Sequence, residues 1–161
     1  MQGATESQGQ DLVMTREFDA PRPLVWRCWT EAELFQQWYG PQGFTIPQCT
    51  IDLRVGGKLL FCMRSPEGYE MWLTGTFQEI DPVERLVKTE SMADAEGNVV
   101  AIGPGPHDTL VTVTLEAEGE SRTRITLRHA GLPEGSAEAG ANEGYRGAFD
   151  KLAAFLEKER A

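Results

Sequence analysis

The chain has 161 residues, of which 40% are hydrophobic, and a formal net charge of −10 at pH 7. A single domain of this size can bury a sufficient core without disulfides or metal. The negative charge argues against nucleic acid and anionic membrane as partners, because both would repel it.

Cysteine usage and the amino terminus indicate a cytoplasmic protein. Cys28, Cys49 and Cys62 make an odd count without paired spacing, which is typical of reduced thiols. Residues 1–10 are polar and predict a disordered leader, not a signal peptide, followed by a single domain over residues 11–161. No stretch of the sequence has the length and hydropathy of a membrane span, so we expect no membrane insertion.

The first half of the chain predicts a strand, two short helices and further strands. An alternating segment at 11–18 ends at a proline turn, and helices follow at 24–29 and from a Thr30 cap through Trp38. Glycine and proline turns then separate strand candidates at 44–53, 58–64, 69–80 and 86–91.

The second half predicts a hairpin and a long helix. After a rigid Gly-Pro loop at 103–106, period-two patterning places Val111, Val113 and Leu115 on one face of a strand at 109–117. The next strand, at 122–129, carries Ile125, Leu127 and His129 on one face. Short connections require antiparallel pairing, so the order of elements predicts an α+β fold in which a curved sheet grips the last helix.

That helix, predicted at 143–156, carries an apolar stripe of Tyr145, Phe149, Leu152 and Leu156. Its first turns are rich in small residues (Gly140, Gly144 and Gly147), each of which costs about 1 kcal/mol of helix propensity relative to Ala. These glycines indicate either a cavity beneath the start of the helix or tight packing there. The sequence leaves both readings open.

The sequence contains no recognisable catalytic or metal-binding motif. His107 and His129 have no ligand-spaced partner, so we expect neither metal nor cofactor. His129 shares the inward face of its strand, where a structural histidine is more common than an acid-base residue. Arg16 is interpreted as a rim residue or as an anchor for an anionic group. The carboxylates of Glu70, Glu79 and Glu90 are expected in solvent.

Aromatic residues are concentrated in the two short helices and the loop after them. This density is typical of either a filled core or the wall of an apolar pocket, which the following strands would continue. An exposed remnant of the cluster would instead be a docking patch. The cavity candidates are Trp38, Phe44, Phe61, Met63, Met71, Leu73, Leu127, His129, Tyr145 and Phe149.

Several motifs occur in a fixed order: TREFDAP at 15–21, VW at 25–26, WYGP at 38–41, GF at 43–44, GG at 56–57, PEG at 66–68, DPVERL at 81–86, LP at 132–133 and EGY at 143–145. Together they resemble the START-like superfamily, also called SRPBCC or birch-pollen-allergen-like. Within it, the chain is most similar to the homologues of the heat-shock-protein-90 ATPase activator.

The resemblance implies the helix-grip fold: six or seven antiparallel strands wrapped around a long C-terminal helix, with a deep cavity between them. Members of the superfamily bind lipids, polyketides or hormones, and a few catalyse cyclisation or hydrolysis. The chain departs from the branch at two positions, where Asn142 and Tyr145 stand in place of a frequent histidine and tryptophan.

Three hypotheses follow. The first is a module that binds a small, largely apolar molecule and is not an enzyme. The second, which the resemblance alone supports, is a co-chaperone-like protein that regulates a chaperone ATPase. It ranks lower because the extra domain of the eukaryotic activator is not expected here. The third is a cavity enzyme of hydrolase or cyclase type that uses His129 or Arg16. Both monomer and homodimer are considered, the latter through an exposed loop at 38–44.

Overall fold

A computed structural model describes residues 10–100, 109–132 and 142–160. Most of the predicted leader, the loop at 103–106, His107 and Gly140 lie outside these residues. The described elements are β1 (Gln10–Phe18), α1 (Arg22–Thr30), α2 (Ala32–Phe35), β2 (Thr45–Ile51), β3 (Lys58–Arg64), β4 (Glu70–Asp81), β5 (Arg85–Ala93), β6 (Thr109–Ala117), β7 (Thr123–Leu132) and α3 (Asn142–Arg160).

The strands form one antiparallel sheet in the order β1-β7-β6-β5-β4-β3-β2. From β2 to β7 each strand pairs antiparallel with the next in sequence. β1 instead lies at the far edge beside β7. The sheet is curved, and α3 packs against its inner face. This is the helix-grip architecture that the sequence predicted.

The alternation of residues in β6 and β7 buries one apolar face of each strand, as predicted. Val111, Val113 and Leu115 are buried, as are Ile125 and Leu127 on the paired strand. Val113 lies opposite Leu127 and Leu115 opposite Ile125, so the apolar residues of both strands share the inner face. His129 is buried in phase with them and lies opposite Val111.

The boundary between α1 and α2 differs from the prediction. The Thr30 hydroxyl donates to the Trp26 carbonyl at 2.9 Å, so Thr30 closes α1 and does not cap α2. The second helix also ends at Phe35, earlier than expected. Its continuation through Trp38 is a turn, in which backbone N–H groups bond three residues back, for example Trp38 to Phe35.

The aromatic cluster is core and not an exposed patch. Trp29, Phe35 and Trp38 are at most 1% exposed, and Tyr39 is 4% exposed. The Trp38 indole also donates to the Cys28 carbonyl at 3.0 Å, which fixes it inside the fold. The proposed docking patch of exposed aromatic residues is therefore wrong. In the loop at 38–44, Trp38 and Tyr39 are buried whereas Gln42 and Gly43 are exposed, so the homodimer through this loop stays a prediction.

α3 buries the C-terminal part of its apolar stripe. Phe149, Leu152 and Leu156 are fully buried, and the Phe149 ring packs edge-on against Phe18 of β1 at 5.6 Å. Tyr145, one helical turn before Phe149, is only partly buried. The C-terminal part of the stripe thus packs into the core, whereas Tyr145, near the start of α3, stays partly exposed. None of the described helices is long and apolar enough to cross a membrane.

The cysteines agree with the predicted thiol state. Cys28, Cys49 and Cys62 are all free, and Cys28 and Cys62 are buried. Burial raises the pKa of the Cys28 thiol to about 12 and that of Cys49 to about 11. Both thiols are therefore protonated at neutral pH and behave as small apolar groups.

Candidate functional site

A cavity of about 410 Å³ lies between the inner face of the sheet and the start of α3. It is bounded by strands β3, β4, β5 and β7, by the loop after α2 and by the first half of α3. Its lining residues are Tyr39, Gly40, Pro41, Met63, Met71, Leu73, Glu90, His129, Gly144, Tyr145 and Ala148.

Most of this lining is apolar. Met63 on β3 lies opposite Met71 on β4, and Leu73 follows on the same face of β4. Ala148 forms the helical side of the cavity, while Pro41 contributes from the loop. Thioether and aliphatic side chains adapt to irregular apolar shapes, so this wall suits a hydrocarbon surface without a fixed outline.

Five of the ten predicted cavity residues line the cavity: Met63, Met71, Leu73, His129 and Tyr145. The other five do not. Trp38, Phe61, Leu127 and Phe149 are fully buried in the core behind the wall, and Phe44 packs against that core from the loop. The reason is geometric, because large aromatic residues of α1, α2 and α3 pack on one another and fill the space between helices and sheet.

The two readings of the α3 glycines that the sequence left open, a cavity and tight packing, each apply to one glycine. Gly144 lines the cavity, and a Cβ built there would lie 3.5 Å from the Pro41 ring, an ordinary contact. Gly147 instead packs against the loop, since a Cβ there would lie 2.9 Å from the backbone N of Gln42. One glycine leaves room and the other permits a close approach.

The loop that forms this rim is fastened to α3 by a lysine. The Lys151 ammonium donates to the carbonyl oxygens of Pro41 at 3.0 Å, Phe44 at 3.1 Å and Tyr39 at 3.4 Å. Partial burial lowers the pKa of Lys151. Because three carbonyls converge on one ammonium, the rim loop and the helix are held together as a unit.

One end of the cavity is polar, and its side chains form a connected network. The Tyr145 hydroxyl lies 2.8 Å from Nδ1 of His129, and Nε2 of the same ring lies 2.7 Å from the Thr109 hydroxyl. Thr109 in turn donates to the backbone carbonyl of Glu90 at 2.8 Å. These contacts connect α3, β7, β6 and β5 across the end of the cavity.

The network fixes the tautomer of His129. Thr109 has one hydroxyl hydrogen, and the Glu90 carbonyl can only accept it. Nε2 of His129 must therefore carry the ring hydrogen and donate to Thr109, which leaves Nδ1 to accept from Tyr145. Burial lowers the pKa of His129, which favours this neutral form.

A second set of contacts extends the network to a buried ion pair. Tyr39 donates to Oε1 of Glu90 at 3.1 Å, and the Lys88 ammonium lies 4.0 Å from the same oxygen. The Lys88 side chain is 1% exposed and that of Glu90 12%. Burial raises the pKa of Tyr39 and of Tyr145 well above the ordinary value, so both hydroxyls keep their hydrogens.

Lys88 lies inside an aromatic cage. Its Nζ is 5.0 Å from the centre of the Tyr39 ring, 5.1 Å from Phe35 and 5.8 Å from Trp29. Ring faces at such distances attract a cation and partly replace its lost hydration. Burial nevertheless lowers the pKa of Lys88, and Glu90 opposes that shift.

Sequence reasoning missed Tyr39, Lys88 and Glu90. The prediction that Glu90 lies in solvent is wrong, whereas Glu70 and Glu79 are indeed half-exposed, in surface ion pairs with arginines. The alternation of β5 could have predicted this burial. Leu86, Lys88 and Glu90 lie on the same face of the strand, so a buried Leu86 places both charged side chains inward.

Arg16 has a surface role. It forms an ion pair with Asp150 of α3 at 2.7 Å, with both side chains partly in solvent. It therefore lies at the rim between β1 and α3, away from the cavity lining. The alternative assignment of Arg16 as an anchor for a cavity ligand is wrong. Among the described residues there is no cluster of side chains that could hold a metal ion.

Residues 19–157 match the family model described as Activator of Hsp90 ATPase homolog 1-like protein. The chain belongs to this family. The match spans most of the domain and confirms the resemblance to the START-like superfamily. No protein of curated function matches the chain.

Solved structures of the same architecture are numerous. A protein from Nitrosomonas europaea is 30% identical with a TM-score of 0.77, and the match covers 93% of this chain and 96% of that one. A protein from Arthrobacter aurescens is also 30% identical, with a TM-score of 0.77 and coverages of 92% and 86%. The AHSA1 protein from Silicibacter pomeroyi is 25% identical, with a TM-score of 0.78 and coverages of 93% and 99%.

Proposed function

We propose that this member of the family binds a small, largely apolar molecule in the cavity between the sheet and α3. The observation that carries the proposal is an apolar cavity of about 410 Å³ with polar side chains collected at one end. A volume of this order is typical of sites for small organic ligands, in which apolar walls supply affinity and a few polar groups supply orientation.

The state of the polar groups favours binding over catalysis. His129, the best candidate for an acid or base, gives its ring hydrogen to Thr109 and accepts from Tyr145. Its pKa is lowered by burial. A histidine with both ring nitrogens occupied has no free position for proton exchange with a substrate. The family description alone supports chaperone regulation, which remains the alternative function.

Binding of the neutral apolar dye Nile red, followed by fluorescence at fixed protein concentration, tests the proposal. We expect saturable binding with one site per chain. The variant Met71→Trp places a larger side chain on the wall and should weaken dye binding by about tenfold or more, since lost volume excludes the ligand.

A matched control is Tyr69→Trp. Tyr69 is 75% exposed and immediately precedes β4, outside the cavity lining, so this change should leave dye binding unaltered. Thermal unfolding of both variants verifies that they fold. Dye binding that does not saturate, or that is equal in the two variants, would contradict the proposal.

A further inference from the structure

We propose that the ligand of this cavity is a neutral molecule whose single polar head is a hydroxyl, and that this hydroxyl donates a hydrogen bond to the Glu90 carboxylate. The inference rests on the proposed function and specifies the chemistry of the same site. It follows from a count of hydrogens and charges at the polar end.

Among the described residues that line the polar end, the tyrosine and histidine side chains have no hydrogen left to donate. Tyr39 has one hydroxyl hydrogen, which goes to Glu90 Oε1. Tyr145 has one, which goes to Nδ1 of His129, because the hydrogen of that ring is already committed to Thr109. Each of these groups donates as many hydrogens as it carries.

Acceptor capacity remains at the same place. A carboxylate offers about four lone-pair directions, and Tyr39 uses one of those of Glu90. The tyrosine oxygens also keep lone pairs, and the two hydroxyls lie 3.5 Å apart. A ligand with a hydrogen to donate gains a charge-assisted bond, whereas an ether or ketone head would lose its bonds to water and find no free side-chain donor among the described residues that line the cavity.

The charges of Lys88 and Glu90 favour a ligand whose polar head is neutral. Lys88 already stands 4.0 Å from Glu90 Oε1, so the buried pair has no net charge. A ligand ammonium would add an uncompensated cation to an apolar cavity, and a ligand carboxylate would face Glu90 directly. A hydroxyl satisfies the acceptors without adding charge.

A series of four probes with the same eight-carbon chain tests this: 1-octanol, methyl octyl ether, octylamine and octanoate. Each is titrated at pH 7.5 into the wild-type protein carrying Nile red, and displacement of the dye is measured. We expect 1-octanol to displace the dye at a concentration about tenfold lower than methyl octyl ether, which has the apolar chain but no hydrogen to donate. Octylamine and octanoate, charged at this pH, should be weaker than 1-octanol.

The variant Glu90→Gln removes the charged acceptor and supplies an amide donor. In it the preference for 1-octanol over the ether should fall to about threefold or less. The control Glu79→Gln, at an exposed carboxylate paired with Arg85, should keep the wild-type preference. Should Glu90→Gln not fold, the wild-type series decides the question by itself.

Each result has a distinct meaning. Equal displacement by octanol and ether would overturn the hydroxyl assignment and leave the proposed function intact. Tightest binding of octanoate would overturn the assignment of Glu90 as the acceptor for the head group. Tightest binding of octylamine would refute the charge balance. Absence of saturable Nile red binding in the wild type would defeat the proposed function itself.

Discussion

Nζ of Lys88 lies 4.0 Å from Oε1 of Glu90, two residues along the same face of β5 and almost entirely out of solvent. The ammonium also faces three aromatic rings. A buried ion pair is seldom a net gain over apolar residues, but loss of one partner leaves the other charge uncompensated. The stability of the folded domain therefore depends on both residues together.

The coupling between them can be measured in a double-mutant cycle. We expect Lys88→Met and Glu90→Gln each to lower the free energy of unfolding by about 3 kcal/mol, and the double variant to lose much less than the sum. Urea denaturation provides the values. Glu79→Gln, which breaks the exposed pair with Arg85, should cost less than about 1 kcal/mol. Additive losses at positions 88 and 90 would mean that the pair is not coupled.

His129 should make stability depend on pH in one direction. Because burial lowers its pKa in the folded state, the unfolded chain binds a proton more readily, starting near its own pKa of about 6.5. Wild-type stability should therefore be complete above that pH and fall as the pH drops below it, down to the folded-state pKa.

The variant His129→Gln isolates this effect. As the pH falls below about 6.5, the unfolding free energy of the wild type should decrease relative to that of the variant. The charges of Glu90 and Lys88 act on His129 in opposite directions, and burial is the largest cause of the shift. The other histidine, His107, is present in both proteins, so the comparison isolates position 129. A pH-independent difference would exclude a buried neutral His129.

Replacing each of two glycines of α3 with alanine should change the stability of the domain in opposite directions. Gly144→Ala places its Cβ at an ordinary 3.5 Å from Pro41 and should raise stability by up to about 1 kcal/mol through helix propensity. Gly147→Ala places its Cβ 2.9 Å from the Gln42 backbone N and should lower stability by about 1 kcal/mol or more despite the same propensity gain. Thermal unfolding of the pair checks the sign, and equal effects would contradict the packing at Gly147.

Lys151→Met should release the rim loop without unfolding the domain. Loss of the ammonium leaves the carbonyls of Tyr39, Pro41 and Phe44 without that donor. We expect amide hydrogen exchange at 39–44 to accelerate by about tenfold, while exchange in β6 stays unchanged. Lys158→Met, at an exposed lysine near the end of the same helix, is the control. Unaltered exchange at 39–44 would show that the loop is held by other contacts.

Local periodicity was sufficient to predict the framework. The alternation that buries Val111 and His129, and the spacing that buries Phe149 and Leu156, are visible within single elements. Periodicity did not distinguish the residues that line the cavity wall from those buried in the core behind it. Whether Phe61 or Met63 faces the cavity depends on the helices packed above β3, and both are apolar residues of one strand.

The polar end was harder to predict because its contacts join distant parts of the chain. Tyr39 and Glu90 are 51 residues apart, and neither belongs to a motif that predicts the other. His129 was singled out by its phase, but its partners Thr109 and Tyr145 come from β6 and α3. The register of the sheet, together with the packing of α3 and of the loop after α2 against it, brings these side chains together.

The aromatic residues that hold the fold stand behind the cavity wall, while Met71 and Leu73 of the wall are only partly buried. Substitutions at these two positions remove little buried apolar surface, so they should cost little stability. Ligand preference can therefore diverge between relatives, or be retargeted in the laboratory, through a few strand positions while the rest of the domain remains intact.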